Sequence, residues 1–249
     1  MHLQGGNLEP QKTFRAHLLL YLCEAAELAI FMLSACVFTV LLFPTAHPWL
    51  ARSAMGIAMG LTAIAIIKSP MGKASGAHFN PSITLTFYRL GKIDAFDATF
   101  YILFQFLGGI FGVWISKLLL GPRLAAVHYA VTIPGLGGRP AAFAAELFMA
   151  ALLMAAVLIT SSNKRLAPYT TWLVGFLIAN YILFLAPVSG FSINPARTLG
   201  SAVFAHQYAG LWIYFTAPIL GMMLSAEIYL RKTTRSQPYF AHRHLEPKH

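Results

Sequence analysis

The sequence predicts an all-α membrane protein in which six transmembrane helices and two re-entrant half-helices form an inverted repeat. Of its 249 residues, 57% are apolar and only 10% are charged, and the apolar residues stand in long blocks. A soluble domain carries roughly 25% charged residues, so this chain has too few to cover a water-facing surface. A repeated Asn-Pro motif, described below, predicts the half-helices.

Six apolar blocks are long enough, or nearly so, to cross a hydrocarbon core about 30 Å thick. One of them, Ala54–Ile67, needs its flank from Trp49 onward to cross. The first block is too long for the core of a signal peptide, so we expect it to remain as the first span. The other five blocks are Leu18–Phe43, Phe96–Leu120, Ala141–Thr160, Thr171–Ala186 and Ala209–Leu230.

Two pairs of glycines in these blocks are spaced four residues apart, Gly56 with Gly60 and Gly108 with Gly112. Small residues at this spacing let two membrane helices approach closely. We therefore expect each pair to lie at a helix contact, although glycines that are merely tolerated would give the same pattern.

Two further segments begin with Asn-Pro and are too short to span. The first runs from Pro81 to Leu90 and stops at Gly91, and its ten residues would extend ~15 Å at the α-helical rise. Asn at the N-cap, Pro at the first helical position and Gly after the last turn are typical start and stop signals. The second starts at Pro195 and runs to about His206. Both are predicted to be half-helices.

The two halves of the chain repeat each other. Glu27 lies in an Ala-Glu-Leu context ahead of the first Asn-Pro motif, and Glu146 lies in the same context ahead of the second. Each half holds three spans, an odd number, so the second half must be inserted upside down, with the functional site near the midplane. We expect a channel-type domain over 18–231, with halves of about 18–120 and 139–231, between terminal segments 1–17 and 232–249.

The net charge of +10 fits membrane topology better than nucleic-acid binding, because the basic residues fall between the apolar blocks. With the amino terminus inside, thirteen Lys and Arg residues lie on the inner side and four on the outer side, with Arg197 set apart in the second half-helix. This asymmetry predicts that both termini are cytoplasmic and that the protein spans the cell membrane several times.

The sequence shows no sign of a cofactor, a metal site or an enzyme. Cys23 and Cys36 lie on one predicted helix, about 20 Å apart, and cannot form a disulfide. CxxC pairs, nucleophile-elbow patterns and His pairs at metal spacing are missing. We interpret His242 and His244 as part of a solvated basic tail.

The segments that precede the half-helices read Ser75-Gly76-Ala77-His78-Phe79-Asn80-Pro81-Ser82 and Ser189-Gly190-Phe191-Ser192-Ile193-Asn194-Pro195-Ala196-Arg197. They resemble the two signature loops of the major intrinsic protein family, the aquaporins and aquaglyceroporins. Ser82 departs from the usual Ala. The resemblance covers roughly residues 15–231 and implies a passive channel for water, glycerol-like polyols or neutral metalloid acids that excludes protons and ions. It also implies a homotetramer in the lipid bilayer.

Asn80 and Asn194 are the central candidates for the pore. Each side-chain oxygen can accept from the first-turn amides, which leaves the NH₂ group free to donate into the pore. The positive ends of both half-helices point at this place and disfavour cations and protons. We expect the pore-facing acceptors to be the unwound backbone over Gly76–His78 and Gly190–Ser192, because irregular backbone at this depth must line a cavity.

Arg197 resembles the family's filter arginine and should face water, because desolvating it in lipid is costly. Three further filter positions follow from the family by spacing: Ile182 in the fifth span, Phe191 in the loop, and Met59 in the second span, with Gly60 as the alternative. Strict water channels tend to have His and a small residue where Ile182 and Phe191 stand, whereas glycerol channels often have Phe at the latter. The solute is left open.

Glu27 and Glu146 allow two interpretations. The resemblance implies that they hydrogen-bond the re-entrant loops from behind. Ionisable groups in membranes also form proton relays, so a proton-coupled secondary transporter of a small solute is the alternative. Glu24 and Glu227 have no motif support, and a purely structural adhesion role is compatible with the fold.

Overall fold

A computed structural model describes residues 10–43 and 47–236. Within these ranges the chain is helical and contains no strand. Six helices are long and apolar enough to span a membrane, which confirms the predicted number of spans. They are α1 (Pro10–Leu42), α2 (Pro48–Lys68), α5 (Ala95–Leu120), α7 (Gly138–Ser161), α8 (Thr170–Phe184) and α11 (Leu211–Ser236).

The shorter helices lie between these spans. Two of them, α4 and α10, are the predicted half-helices, each starting at the Pro after its Asn. The short helices are α3 (Pro70–Ser75), α4 (Pro81–Arg89), α6 (Pro122–Ala126), α9 (Ala186–Ser189) and α10 (Pro195–Ala205). Two 3₁₀ turns cover His128–Ala130 and Ala167–Tyr169. The one-turn helices α3 and α9 were not predicted, and each leads into a re-entrant loop.

Several bounds differ from the prediction. The fifth span ends at Phe184 instead of Ala186, because Pro187 occupies the first turn of a new helix, α9, where its missing N–H has no cost. At the two ends, α1 begins upstream of Leu18 and α11 continues to Ser236. The expected domain limits at 18 and 231 therefore fall inside helices. The predicted tail role of His242 and His244 lies outside the described residues.

The helix contacts follow the inverted repeat. In the first half α1 packs on α5, and in the second half α7 packs on α11 in the matching way. The two halves join where α2 packs on α8 and where each half-helix packs on a span of the other half, α10 on α5 and α4 on α11. This interlocking brings the amino-terminal ends of α4 and α10 together in the middle of the bundle.

Glycines set the distances between these helices. A Cβ built on Gly56 would lie 2.5 Å from the carbonyl oxygen of Ala179, and one built on Gly60 would lie 2.5 Å from that of Gly175. Gly108 and Gly112 meet the α1 backbone in the same way. All four glycines therefore lie at close helix contacts, as their spacing predicted.

We expect Gly108→Val to destabilise the bundle, because its side chain would overlap the carbonyl group of Ala25. Overpacking of this kind costs typically 1–3 kcal/mol and more when backbone must move. The midpoint of thermal unfolding in detergent measures the effect. The neighbouring Leu107→Val is the control, since Leu107 is 60% exposed and should change the midpoint little. Equal midpoints for the two variants would contradict the close contact.

Candidate functional site

The two loops that precede the half-helices share one unusual backbone path. Three residues in each loop have left-handed φ angles, at positions four, three and one before the Asn. They are Gly76 (91°), Ala77 (52°) and Phe79 (31°) in the first loop, and Gly190 (78°), Phe191 (54°) and Ile193 (48°) in the second. Non-glycine residues rarely adopt such angles, and matched outliers point to function. The path leaves the loop amides without helical partners.

A serine and a tyrosine fix the start of each loop. The hydroxyl of Ser75 accepts from the amide two residues later at 3.0 Å, and that of Ser189 does the same at 3.1 Å. Tyr101 of α5 donates to the Ser75 carbonyl at 2.9 Å, and Tyr214 of α11 donates to the Ser189 carbonyl at 2.6 Å. The anchoring thus obeys the same repeat as the helices.

Glu146 supports the second loop from behind. Its carboxylate accepts from the Ser189 hydroxyl at 2.8 Å, from the Ser192 amide at 2.8 Å and from the Ile193 amide at 2.5 Å. The side chain is fully buried. These contacts match the loop-supporting arrangement expected for Glu146, because an anionic acceptor makes strong bonds to amides freed by unwinding.

In the first loop the carboxylate that accepts the loop amides belongs to Glu24, whereas Glu27 contacts this loop through the Ser75 hydroxyl. Glu24 accepts from the amides of His78 at 2.9 Å and Phe79 at 2.6 Å, and from the side chain of Gln105 at 2.7 Å. Within residues 10–43 and 47–236, Glu27 accepts only the Ser75 hydroxyl, at 2.8 Å. Its second oxygen is buried and has no partner among the described residues.

The division of roles between the two carboxylates has a simple geometric origin. Glu24 and Glu27 are three residues apart on α1, so both face the loop. The Ala-Glu-Leu context pointed to Glu27, whereas the contacts pair Glu24 with Glu146. Both Glu24 and Glu27 are fully buried. The sequence does carry a signal, because Glu24 places a second carboxyl one helical turn from Glu27, although no motif surrounds it.

Each Asn caps its half-helix as predicted. The side-chain oxygen of Asn80 accepts from the Ser82 amide at 2.9 Å. That of Asn194 accepts from the amides of Ala196 at 3.0 Å and Arg197 at 3.2 Å. Pro81 and Pro195 occupy the first turns, where no N–H is needed. Ser82 and Ala196 are fully buried beneath the caps.

The NH₂ groups of the two Asn side chains are not entirely free. Asn80 donates to the carbonyl of Ile193, and Asn194 donates to the carbonyl of Phe79, both at 2.8 Å. Each Asn therefore binds the residue just before the other Asn and ties the two loops together. An amide nitrogen carries two hydrogens, so one N–H on each Asn is left to donate elsewhere.

Two cavities meet at this junction. The Arg197 cavity, of about 430 Å³, is lined by all four predicted filter residues, Met59, Ile182, Phe191 and Arg197, and by Gly190. The His78 cavity, of about 180 Å³, lies on the other side of the loops. Its lining includes Gly76, Ala77, His78, Asn80, Ser192 and Asn194. Phe31 and Phe191 line both cavities and stand between them.

Of the two second-span candidates, Met59 and not Gly60 lines the Arg197 cavity. Met59 lines the Arg197 cavity and is 2% exposed. Gly60 instead faces the backbone of Gly175 on α8. Arg197 is also buried, and one terminal nitrogen of its guanidinium has no partner among the described residues.

His78 lines its cavity and also braces the first loop. Its Nδ1 lies 3.1 Å from the Thr84 hydroxyl, and its ring packs 4.8 Å from that of Phe87. In the second loop the matching positions hold a hydroxyl pair, Ser192 and Thr198, at 2.5 Å. The bracing contact is therefore common to both loops, and only its chemistry differs.

Six spans, two facing half-helices and two cavities that meet between them define a polytopic membrane protein built around a re-entrant core. The family model described as "Major intrinsic protein" matches residues 15–229, and the chain belongs to this family.

Two relatives and one solved structure illustrate what the chain is similar to. The chain is 33% identical to "Probable aquaporin NIP-type" of Nicotiana alata over 64% of its own length and 58% of that protein. It is 33% identical to "Glycerol uptake facilitator protein-like 6" of Lactiplantibacillus plantarum over 70% of its length and 82% of that protein. The X-ray structure of the aquaglyceroporin from Plasmodium falciparum has the same fold, with a TM-score of 0.76 at 19% identity over 86% of this chain and 95% of that one.

Replacing the loop-supporting carboxylates separates Glu24 from Glu27. Glu24→Gln turns an acceptor into an NH₂ group that faces donors, so we expect a loss of stability of about 1–3 kcal/mol or more. Glu27→Gln keeps an acceptor for Ser75, and we expect a much smaller change. Thermal unfolding midpoints in detergent compare the two variants. A larger loss in Glu27→Gln would contradict the assignment.

Proposed function

We propose that the protein is a passive channel for water and small uncharged solutes that excludes ions and protons. The observation that carries the proposal is the junction of the two cavities at Phe31 and Phe191, next to Asn80 and Asn194, which line the His78 cavity. A solute that crosses there meets the remaining N–H groups of both Asn side chains and mostly apolar walls. An ion would lose its hydration shell without full replacement, and the positive half-helix ends add a barrier for cations.

The alternative, a proton-coupled transporter, needs a titrating group that the solute or pore water can reach. Glu24, Glu27 and Glu146 are absent from the lining of both cavities. Glu24 and Glu146 are occupied by loop amides, which gives them a supporting position behind the loops. This placement favours the channel over the transporter.

Stopped-flow measurements on proteoliposomes test the channel. We expect rapid water and glycerol flux with a low activation energy and no dependence on a pH gradient. Control liposomes without protein give the background rate. Uptake driven by a pH gradient, or flux that disappears in a folded Glu27→Gln variant, would support the transporter instead.

The filter residues favour solutes larger than water. Met59, Ile182 and Phe191 form three apolar walls, and Arg197 supplies the polar side. A permeant then needs one hydrogen-bonding face and can present carbon to the other walls. This arrangement suits a small polyol or a compact neutral acid as well as water. The printed names of the relatives, an aquaporin and a glycerol uptake facilitator-like protein, are in line with this range.

One filter substitution should make the channel more selective for water, and another should make it less selective against cations. Ile182→His adds a polar wall, and we expect it to raise the ratio of water to glycerol permeability several-fold. Arg197→Val removes the fixed charge and should loosen the exclusion of cations. Ile182→Leu is the matched control for volume. Water and glycerol permeabilities measured side by side decide the outcome, and a wild type with fast water flux and no glycerol flux would favour a strict water channel.

We further propose that residues 18–231 form a channel domain in the cell membrane, with both termini in the cytoplasm, and that it assembles as a homotetramer. The Lys and Arg asymmetry supports the orientation, and membership of the family supports the assembly. Native mass spectrometry in mild detergent should give a tetramer. A monomer alone, or an amino-terminal tag accessible from outside intact cells, would contradict these proposals.

A further inference from the structure

The two cavities differ in charge. Three basic side chains, Arg52, His128 and Arg197, line the Arg197 cavity, and among its described lining residues none is acidic. The described lining of the His78 cavity contains no Lys, Arg, Asp or Glu. Positive charge is thus concentrated on one side of the junction, in a concave space where low-dielectric walls strengthen its field.

Two of these basic groups hold unused hydrogen-bond donors. One terminal nitrogen of Arg197 and Nε of Arg52 are buried and have no partner among the described residues. Arg197 is only 7% exposed. The guanidinium carbon of Arg52 lies 5.9 Å from the ring centroid of Trp49, within the range of a cation–π contact. Both groups line the cavity with charged donors, which favour a ligand that accepts hydrogen bonds.

The rest of the lining is mainly apolar. Phe31, Met55, Val131 and Ile182 are among the walls, and the volume of about 430 Å³ leaves room for a molecule of several heavy atoms. A carboxylate matches the planar donor fork of a guanidinium, and a short hydrocarbon chain can lie against the walls. Phosphate would instead turn charged oxygens toward apolar side chains without hydrogen bonds.

We propose that the Arg197 cavity binds small monocarboxylate anions, with the carboxylate toward Arg52 and Arg197 and the hydrocarbon part against the apolar walls. The bound anion does not pass, because the way to the His78 cavity leads between Phe31 and Phe191, where its charge would lose both water and partners. The bound anion should therefore block the flux of neutral solutes, and this block, unlike the binding itself, rests on the proposed channel function.

Saturation-transfer NMR on the purified protein in detergent tests the site without any flux. We expect propionate to bind with a Kd of about millimolar. Inorganic phosphate and 1-propanol, which lack the hydrocarbon part and the charge respectively, should bind at least several-fold more weakly. Arg52→Gln should weaken propionate binding about tenfold, the usual size for a lost charge-assisted bond.

Arg139→Gln is the matched control, because it removes the same charge from an exposed position outside both cavities. Equal weakening in the two variants would mean general attraction by surface charge and would overturn the proposal. Phosphate or propanol bound as tightly as propionate would overturn the carboxylate class, and no propionate binding would overturn the site.

Flux measurements then test the block. At pH 8 propionate should inhibit glycerol flux with a half-maximal concentration close to its Kd, and Arg52→Gln should shift that concentration about tenfold. Binding without any basal solute flux would leave the site standing and refute the proposed channel. Normal flux that saturating propionate does not reduce would refute the block.

Discussion

Backbone amides that are unwound in the middle of a membrane need acceptors, and this constraint governs the structure. An unsatisfied amide in hydrocarbon costs several kcal/mol, so non-helical backbone survives there only when protein groups receive its hydrogens. Glu24 and Glu146 each accept two consecutive loop amides. Their burial in α1 and α7 fixes which faces of these helices turn inward. The spans and the loops are therefore determined together.

The same constraint explains why the cavities contain so few polar side chains. The carboxylates, the serine hydroxyls and the two tyrosines all act on the backs of the loops. The loops themselves are joined through Asn80 and Asn194, whose amide groups bind across the repeat. One set of hydrogen bonds thus closes the fold and positions the donors at the junction, so damage to the support also displaces the site.

Local signals made much of this predictable. The start and stop signals of each half-helix lie within about a dozen residues of sequence, so α4 and α10 could be predicted locally. The four residues proposed for the filter line one cavity. The sequence context could not show which carboxylate accepts the loop amides, because Glu24 and Glu27 are three residues apart and share a helix face. The bond from Asn80 to Ile193 joins segments 113 residues apart, which no local pattern encodes. Three-dimensional packing alone decides such contacts.

The inverted repeat supplies a symmetric frame, and the residues that break the symmetry give the junction a direction. Arg197 stands three residues after Asn194, where the first half has Ile83 in the His78 cavity. Glu27 stands three residues after Glu24, where the second half has the buried apolar Met149. The extra positive charge therefore faces one cavity, while the extra carboxyl supports the loop of the other. The repeat therefore gives the two loops the same geometry, whereas Arg197 and Glu27, which have no counterpart in the other half, make the two cavities chemically different.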